Sequence, residues 1–260
     1  MGNYHEHIKD ALPDPKRVKK IKKELEAKGV KYIYSNWIDF LGSPKTKPMP
    51  ISDFEDLCAG KGPQFAVHSV SFVPELTAAD NDQIPVPDLD SLVICPWDKT
   101  CAWVFADLYW NDKPYDVCPR LTLKRQIQKC AKSDLKFFVG IEPEFFLMKW
   151  DGDKPVKAID RDPIPLRRQA FGYDAEYSID GMNFLKEIID ILNNDLKWEL
   201  HDVVAEGAYG QYELDFGYTD ILGMADRFVF LKLILDKHRR VYHSNINLQK
   251  PTHKFYPMDK

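Results

Sequence analysis

The sequence predicts an α+β protein, and two observations support this. Segments with apolar residues at helical spacing are interspersed with alternating or continuous apolar segments typical of strands. Turn-forming residues at 111–114 separate a strand-rich first part from a second part with longer helices. The chain has 260 residues, of which 44% are hydrophobic and 29% charged, and this suits one large or two modest soluble domains.

The first part, residues 13–110, is predicted to combine one helix with several strands, after a loose tail at residues 1–12. Asp14 suits the N-cap of the helix and Pro15 its first position, while Gly29 suits its end. The first predicted strand of this part is 31–40, and a Gly-Ser-Pro turn connects it to a return strand. Two further strands are predicted over 92–96 and 102–109.

The second part, residues 111–237, is predicted to alternate helices and strands. Asp180 is a candidate N-cap for a helix with apolar residues at helical spacing, and Thr219 or Asp220 is a candidate cap for the last helix. The remaining elements predicted here are a helix over 119–132 and strands over 136–150, 198–204 and 209–216. Residues 238–260 show no clear periodicity and are predicted to be a disordered tail.

Composition and charge exclude several classes of protein. A net charge of -4 argues against nucleic acid as the main partner. No run of apolar residues approaches the length of a membrane span, and the first ten residues lack the apolar core of a signal peptide. The five cysteines form no Cys-x-x-Cys pair, so we expect reduced thiols in a cytoplasmic protein.

Two carboxylates at alternate positions are the first candidate site. Glu142 and Glu144 fall within the predicted strand 136–150, where side chains two residues apart project to the same face. Like charges held together are costly unless something positive lies between them, and a divalent cation would serve. The alternative is a pair of glutamates on a solvated sheet face, since short motifs often occur without the function.

A second pair of glutamates makes the cation interpretation stronger. Glu206 and Glu213 flank Gly207 and Gly210 at the start of another predicted strand. Glycines in such a context mark bulges or places where a ligand approaches the backbone closely. Four carboxylates without Cys or His favour a hard cation such as Mg²⁺ or Mn²⁺ over zinc.

These two segments resemble the paired metal-binding motifs of the glutamine synthetases. Residues 140–147 read Gly-x-Glu-x-Glu-Phe-Phe-Leu, and residues 206–213 read Glu-x-x-x-Gly-Gln-x-Glu. The wording is most similar to the type III-like branch, which includes glutamate–amine ligases. The resemblance extends from about Lys16 to Lys237, through shorter matches in the family's order: the Asp39 to Pro50 hairpin, Pro87-Asp88, Pro96-Trp97, Ala106-Asp107, Pro119-Arg120 and Ala225-Asp226.

The resemblance implies a fold, a reaction and a set of ligands. The fold is a β-grasp-like domain over 13–110, followed by the first part of a glutamine synthetase catalytic α+β domain over 111–237. The reaction joins ammonia or a small amine to the γ-carboxylate of glutamate, at the expense of ATP, through γ-glutamyl phosphate. Three glutamates would hold the Mg²⁺ or Mn²⁺ ion near the substrate carboxylate, with a fourth assigned to the ion that bridges the ATP phosphates: Glu144, Glu206 and Glu213, then Glu142.

The resemblance stops before the nucleotide pocket and the phosphate-binding arginines of the family, so it implies little activity for the chain alone. Ala66 replaces an aspartate that binds ammonium in many members, which leaves ammonia and a small amine open as acceptors. No catalytic residue and no residue for an organic cofactor is assigned. Family members form rings, so we expect a homo-oligomer or association with a full-length synthetase. One alternative is a non-catalytic regulatory subunit; another, an unrelated metal-binding protein, is disfavoured because both glutamate motifs occur in the family's order.

Overall fold

The computed structural model of the chain describes residues 3–69, 76–158, 172–208, 210–241 and 246–248. The fold is mixed α/β. The helices are α1 Ile8–Ala11, α2 Pro15–Ala27, α3 Phe54–Cys58, α4 Pro119–Ala131, α5 Ala175–Asp190 and α6 Ile221–Val241. The strands are β1 Tyr32–Ile38, β2 Pro44–Pro50, β3 Ile84–Pro87, β4 Val93–Ile94, β5 Cys101–Trp110, β6 Lys113–Pro114, β7 Phe138–Val139, β8 Glu144–Asp151, β9 Lys154–Lys157, β10 Leu200–Ala205, β11 Gln211–Phe216, β12 Thr219–Asp220 and β13 Ile246–Leu248.

The chain divides into two compact units. Unit 1 comprises Met1–Phe138 and Asp220–Val229, and unit 2 comprises Val139–Thr219 and Phe230–Lys260. The domain bounds at 110 and 237 that the sequence suggests stay predictions. None of the helices in the described ranges is both long and apolar enough to cross a membrane.

Unit 1 is built on a six-stranded mixed sheet. β5 is its central strand, pairing in parallel with β1 and antiparallel with β3, β4 and β6, while β2 forms an antiparallel hairpin with β1. Helix α2 begins as predicted, because the Asp14 side chain accepts a hydrogen bond from Lys16 N at 3.2 Å and Pro15 occupies the first position. Its residues Val18 and Leu25 are buried in the apolar core of the sheet, together with Ile33 of β1.

The first residues of the chain are not the loose tail that the sequence suggests. Residues 8–11 form α1, and Ile8 N donates to Asp112 O at 3.3 Å. Gln128 Nε2 donates to the carbonyl oxygen of Tyr4 at 3.0 Å, and the Arg125 guanidinium lies over the Tyr4 ring. The two hydrogen bonds cannot be predicted from composition, because both are accepted by main-chain carbonyl oxygens, which every residue carries.

A buried cluster of charges lies in unit 1 around Arg120 of α4. Its guanidinium donates to Asp107 at 2.7 Å, to Asp88 at 2.9 Å and to Asp226 at 2.8 and 3.0 Å. Lys124, one turn further along α4, donates to Asp88 at 2.8 Å and also to Asp107. Asp88, Asp107, Arg120 and Asp226 each belong to one of the short sequence matches to the family, which are spread over about 140 residues. Four of these matches therefore each supply one charged group to the same cluster.

Unit 2 contains an antiparallel sheet in the order β10, β11, β8, β13, with β9 also paired to β8. One face packs on α5: Tyr212 of β11 is buried, its hydroxyl donates to Tyr177 O at 3.0 Å, and the rings of Phe145 and Phe184 lie 6.4 Å apart. Alternation then directs Glu213 and Asp215 of β11 to the opposite face.

The close approach of Tyr212 to α5 predicts an effect of changing Gly181. A methyl group added there would lie 2.4 Å from the Tyr212 ring, which is a steric clash. We expect Gly181→Ala to lower the free energy of unfolding by about 1–3 kcal/mol. Chemical denaturation would measure this, with Gly207→Ala as control because an added methyl there meets nothing within 4 Å. Equal stability of the two variants would contradict the packing.

Three sequence-based boundaries in unit 2 need correction. Helix α5 starts at Ala175 and not near Asp180, because the Asp174 side chain accepts from Glu176 N at 3.0 Å and from Tyr177 N. Strand β8 begins at Glu144, so Glu142 precedes it: Pro143 has no N–H to donate to a ladder. The tail predicted over 238–260 is also partly structured, since α6 runs to Val241 and β13 pairs with β8. The remaining tail residues lie outside the described ranges.

Candidate metal centre

The candidate site lies on the face of the unit 2 sheet opposite α5. Glu213 of β11 is directly opposite Glu144 of β8, and Asp215 of β11 is directly opposite Asp202 of β10. Residues opposite one another in an antiparallel ladder project to the same side. Four carboxylates from three adjacent strands therefore share one face.

Three carboxylates form the tightest group on this face. Ligand oxygens of Glu142, Glu213 and Asp215 all lie within 4.8 Å of one another. Oxygen ligands bound at about 2.0–2.6 Å to one ion lie at most about 5 Å apart, so this spacing is compatible with a shared divalent cation. Glu142 reaches the group from the segment that leads into β8.

Glu206 is held next to Glu213 by the hairpin between β10 and β11. Glu206 N donates to Gln211 O at 2.9 Å, and Gly210 closes the turn with φ of +83°, a conformation that favours glycine. The Glu206 side chain is close enough to Glu213 to raise its pKa. The glycine at position 210, between Glu206 and Glu213, is thus explained by the positive φ of the turn.

Glu144 has a different partner. Gln211, two residues before Glu213 on β11, donates a hydrogen bond from Nε2 to Glu144 Oε2. Its contact fixes the carboxylate of a predicted ligand, and that ligand is not part of the three-carboxylate group.

The electrostatics of the face favour bound positive charge. Burial, followed by the hydrogen bond with Glu206 and the charge of Asp215, together raise the pKa of Glu213 to about 8. Burial also raises the pKa of Asp215 to about 6, with contributions from Asp202 and Glu142. Without a cation these groups therefore resist ionising together.

The residues fit a hard divalent cation. All donors are carboxylate oxygens, which Mg²⁺ and Mn²⁺ prefer. Asp215 Oδ1 is shielded from solvent, and the Asp215 carboxylate interacts with those of Asp202 and Glu213. Glu142 and Glu213 were expected from the sequence, whereas Asp215 was missed. The signal for it was present, since Asp215 follows Glu213 by two residues on an alternating strand.

The raised pKa of Glu213 predicts how pH affects the metal-free protein. The folded chain keeps this proton from the ordinary pKa of 4.5 up to about 8, whereas the unfolded chain loses it near 4.5. The contribution of this group to stability is therefore complete at low pH and is lost as pH rises through about 8. In chelator, the melting temperature of the wild type should fall between about pH 5 and about pH 8.5 by more than that of Glu213→Gln. Parallel curves for the two proteins would contradict the shift.

Comparisons with known proteins place this face in a family. The protein-family model described as "Glutamine synthetase, catalytic domain" matches residues 116–246 of the chain. A glutamine synthetase from Rhizobium meliloti (strain 1021) is 33% identical over 215 residues, covering 81% of this chain and 47% of that protein. A glutamate–methylamine ligase from Methyloversatilis universalis is 28% identical over 214 residues, covering 80% of this chain and 46% of that protein.

Solved structures agree with these sequence matches. GmaS without ligand superposes with a TM-score of 0.76 at 27% identity, covering 87% of this chain and 52% of that chain. The GmaS/ADP complex superposes with a TM-score of 0.75 at 27% identity, covering 87% of this chain and 50% of that chain. The chain thus spans about half the length of the relatives it matches. It belongs to the glutamine synthetase family.

Proposed function

We propose that the protein contributes to ATP-dependent ligation of ammonia or a small amine to the γ-carboxylate of glutamate through γ-glutamyl phosphate. The observation that supports this most is the carboxylate face of β8 and β11, which lies within the residues matched by the catalytic-domain family model. The relatives are named for glutamine synthesis and for ligation of methylamine to glutamate, and both acceptors therefore stay open.

The proposed ligands of Mg²⁺ or Mn²⁺ are the four glutamates suggested by the sequence: Glu142, Glu144, Glu206 and Glu213. The other three glutamates approach Glu213 from different elements: Glu142 from the segment before β8, Glu144 from across the ladder and Glu206 from the hairpin. When bound, a divalent cation would neutralise charge on phosphoryl and carboxylate oxygens.

The residues of this chain would position and charge the site. Gln211 donates to Glu144 and so fixes the orientation of that carboxylate. Gly210 allows the hairpin to return Glu206 to Glu213. The helix α5 holds β11 from the other face through Tyr212, so the ligand-bearing strand is supported by packing.

The wider assignments are also proposals. We infer a β-grasp-like domain over 13–110 and part of the catalytic domain over 111–237, in a cytoplasmic protein that associates with itself or with a full-length synthetase. Because the chain spans about half the length of its relatives, catalysis by these 260 residues alone is a separate question. The prediction from the sequence is that the chain alone has little activity. Nothing in the described part of the chain specifically favours a purely regulatory role.

The test is an assay of phosphate release from ATP by the purified chain, with glutamate, Mg²⁺ or Mn²⁺, and either ammonia or methylamine. It is repeated with a full-length synthetase added, and with cation binding measured in parallel. The proposal expects cation binding, together with glutamate- and amine-dependent turnover that is slow for the chain alone. A chain that binds neither Mg²⁺ nor Mn²⁺ would overturn it. Fast turnover by the chain alone would instead correct the predicted low activity and leave the assignment of the reaction intact.

A further inference from the structure

We propose that the outer face of helix α2 binds the surface of membranes that contain acidic phospholipids. The binding is peripheral and electrostatic, and four lysines at the i, i+3, i+4 and i+7 spacing of one helix face supply it: Lys16, Lys19, Lys20 and Lys23. We call these four residues the lysine stripe. This proposal is independent of the proposed function, because α2 lies in unit 1 and carries none of the proposed cation ligands.

The lysine stripe lies in a strongly basic segment of the chain. Residues 16–31 contain eight lysines or arginines and two glutamates, although the whole chain has a net charge of -4. All four residues of the stripe are exposed. On a helix they span about 10 Å, which is about one Debye length at physiological salt, so the four charges act on a partner together.

The packing of α2 on the sheet fixes the direction in which the lysine stripe projects. Val18 and Leu25 are buried in the core of unit 1, and Ile21 packs against that core. Because successive residues of a helix are about 100° apart, the stripe lies on the side of α2 that faces away from these three residues. The apolar side chains of α2 are therefore not available for insertion into lipid, and charge attraction alone would hold the helix to a membrane.

The charges of α2 do not stabilise the helix itself. After the N-cap Asp14, the first turn contains basic residues and no acidic one, and the last turn contains glutamates and no basic residue. This distribution is the reverse of the one that the helix dipole favours. Lysines three and four residues apart also repel one another, and within the described part of the chain only Lys20 of the stripe has an ion pair, with Glu24 at 3.9 Å. A negatively charged surface would remove this cost.

The composition of the outer face favours a lipid surface over other polyanions. Helix α2 has no aromatic residue that could stack on the bases of a nucleic acid, and its arginine, Arg17, bonds Asp90. The outer face has no large apolar side chain, whereas the centre of a protein interface is apolar. Lysine is a point charge on a flexible stem, and this suits the mobile headgroups of a fluid bilayer.

Co-sedimentation with large vesicles tests the proposal. We expect the wild type to bind phosphatidylcholine vesicles that contain about 30% phosphatidylserine, at about 50 mM salt, and not to bind phosphatidylcholine alone. Each lysine near such a surface contributes about fivefold in partitioning. A variant with glutamine at all four positions of the stripe should therefore bind the acidic vesicles on the order of 100-fold more weakly.

The control is a second quadruple variant with the same net charge. It has glutamine in place of four exposed lysines outside the basic segment, and it should bind as the wild type does: Lys132, Lys136, Lys154 and Lys186. Equal loss of binding in the two variants, or a wild type that does not bind the acidic vesicles, would overturn the proposal. Stripe-dependent binding to duplex DNA or to poly-L-glutamate, without binding to vesicles, would assign the face to another class of partner and would also overturn it.

Melting temperatures give a second readout that does not depend on lipid. Glutamine and lysine have similar helix propensities, and the lysines of the stripe repel one another and oppose the helix dipole. The stripe variant should therefore melt at the temperature of the wild type or above it. A clearly lower melting temperature would mean that the lysines stabilise the fold, and the argument for an external negative surface would then be wrong.

Discussion

Replacement of Arg120 by alanine is expected to destabilise unit 1 by about 3–5 kcal/mol. The guanidinium is buried and bonds three carboxylates, those of Asp88, Asp107 and Asp226. Its loss would leave three acidic groups beside one cation, Lys124. Removing one partner from a buried cluster of charges is costly because the remaining charges stay buried without compensation.

The pKa directions agree with this reading of the cluster. Despite burial, Arg120 and Lys124 hold the pKa of Asp88 well below its usual range. The carboxylates raise the pKa of Arg120 well above its ordinary value, although burial opposes this. Asp226 is the exception, because burial raises its pKa more than Arg120 lowers it. Without Arg120, all three carboxylates would stay buried but would lose the guanidinium that offsets the cost of burying their charges.

Urea denaturation followed by tryptophan fluorescence would measure the loss. Arg125→Ala is the matched control on the same helix, since Arg125 bonds an exposed aspartate, Asp116. Such surface pairs contribute about 0–1 kcal/mol. If the two variants unfold at the same urea concentration, the cluster does not stabilise the fold as we describe.

Replacement of Glu213 by glutamine is expected to abolish tight binding of Mn²⁺ or Mg²⁺. Glu213 belongs to the three-carboxylate group, lies across the ladder from Glu144 and contacts Glu206. Because Glu213 lies among several of the other carboxylates, its loss should weaken binding by more than the roughly 10- to 100-fold that is typical of a supporting residue, to about 100-fold or beyond. Isothermal titration of the metal-free protein would measure this.

The control for that change is Glu187→Gln. Glu187 lies on α5, the helix that covers the opposite face of the sheet. The Glu187→Gln substitution removes one negative charge from the same unit, so it controls for the effect of the change in net charge on cation binding. Comparable affinity in the Glu213→Gln and Glu187→Gln proteins would mean that Glu213 is not a ligand.

Local signals in the sequence were sufficient where the structure depends on local chemistry. Asp14 and Pro15 predict the start of α2 because a side-chain cap and a fixed φ act within one turn. The spacing of Glu206 and Glu213 around Gly207 and Gly210 predicts that both bind a cation, and this stays a prediction. The family assignment follows from the two glutamate motifs, which the family model matches independently.

Features that depend on tertiary contacts could not be predicted in the same way. Glycine is disfavoured within helices, and the close approach of the Tyr212 ring gives the reason for Gly181 in α5. The apolar spacing after Asp180 predicts a cap there, whereas the structure places the cap at Asp174. The sequence does not predict that Asp215 lies close to Glu142, because this approach depends on a segment 73 residues earlier in the chain.

The central claim is that the face formed by β8 and β11 binds a divalent cation, and a crystal structure of the protein with Mn²⁺ tests it most directly. Anomalous scattering identifies Mn²⁺ independently of any assumption about its ligands. The account predicts a peak on this face beside Glu213, with ligand oxygens from among Glu142, Glu144, Glu206 and Glu213 at about 2.1 Å. A fully occupied peak elsewhere, or none on this face at saturating Mn²⁺, would contradict it.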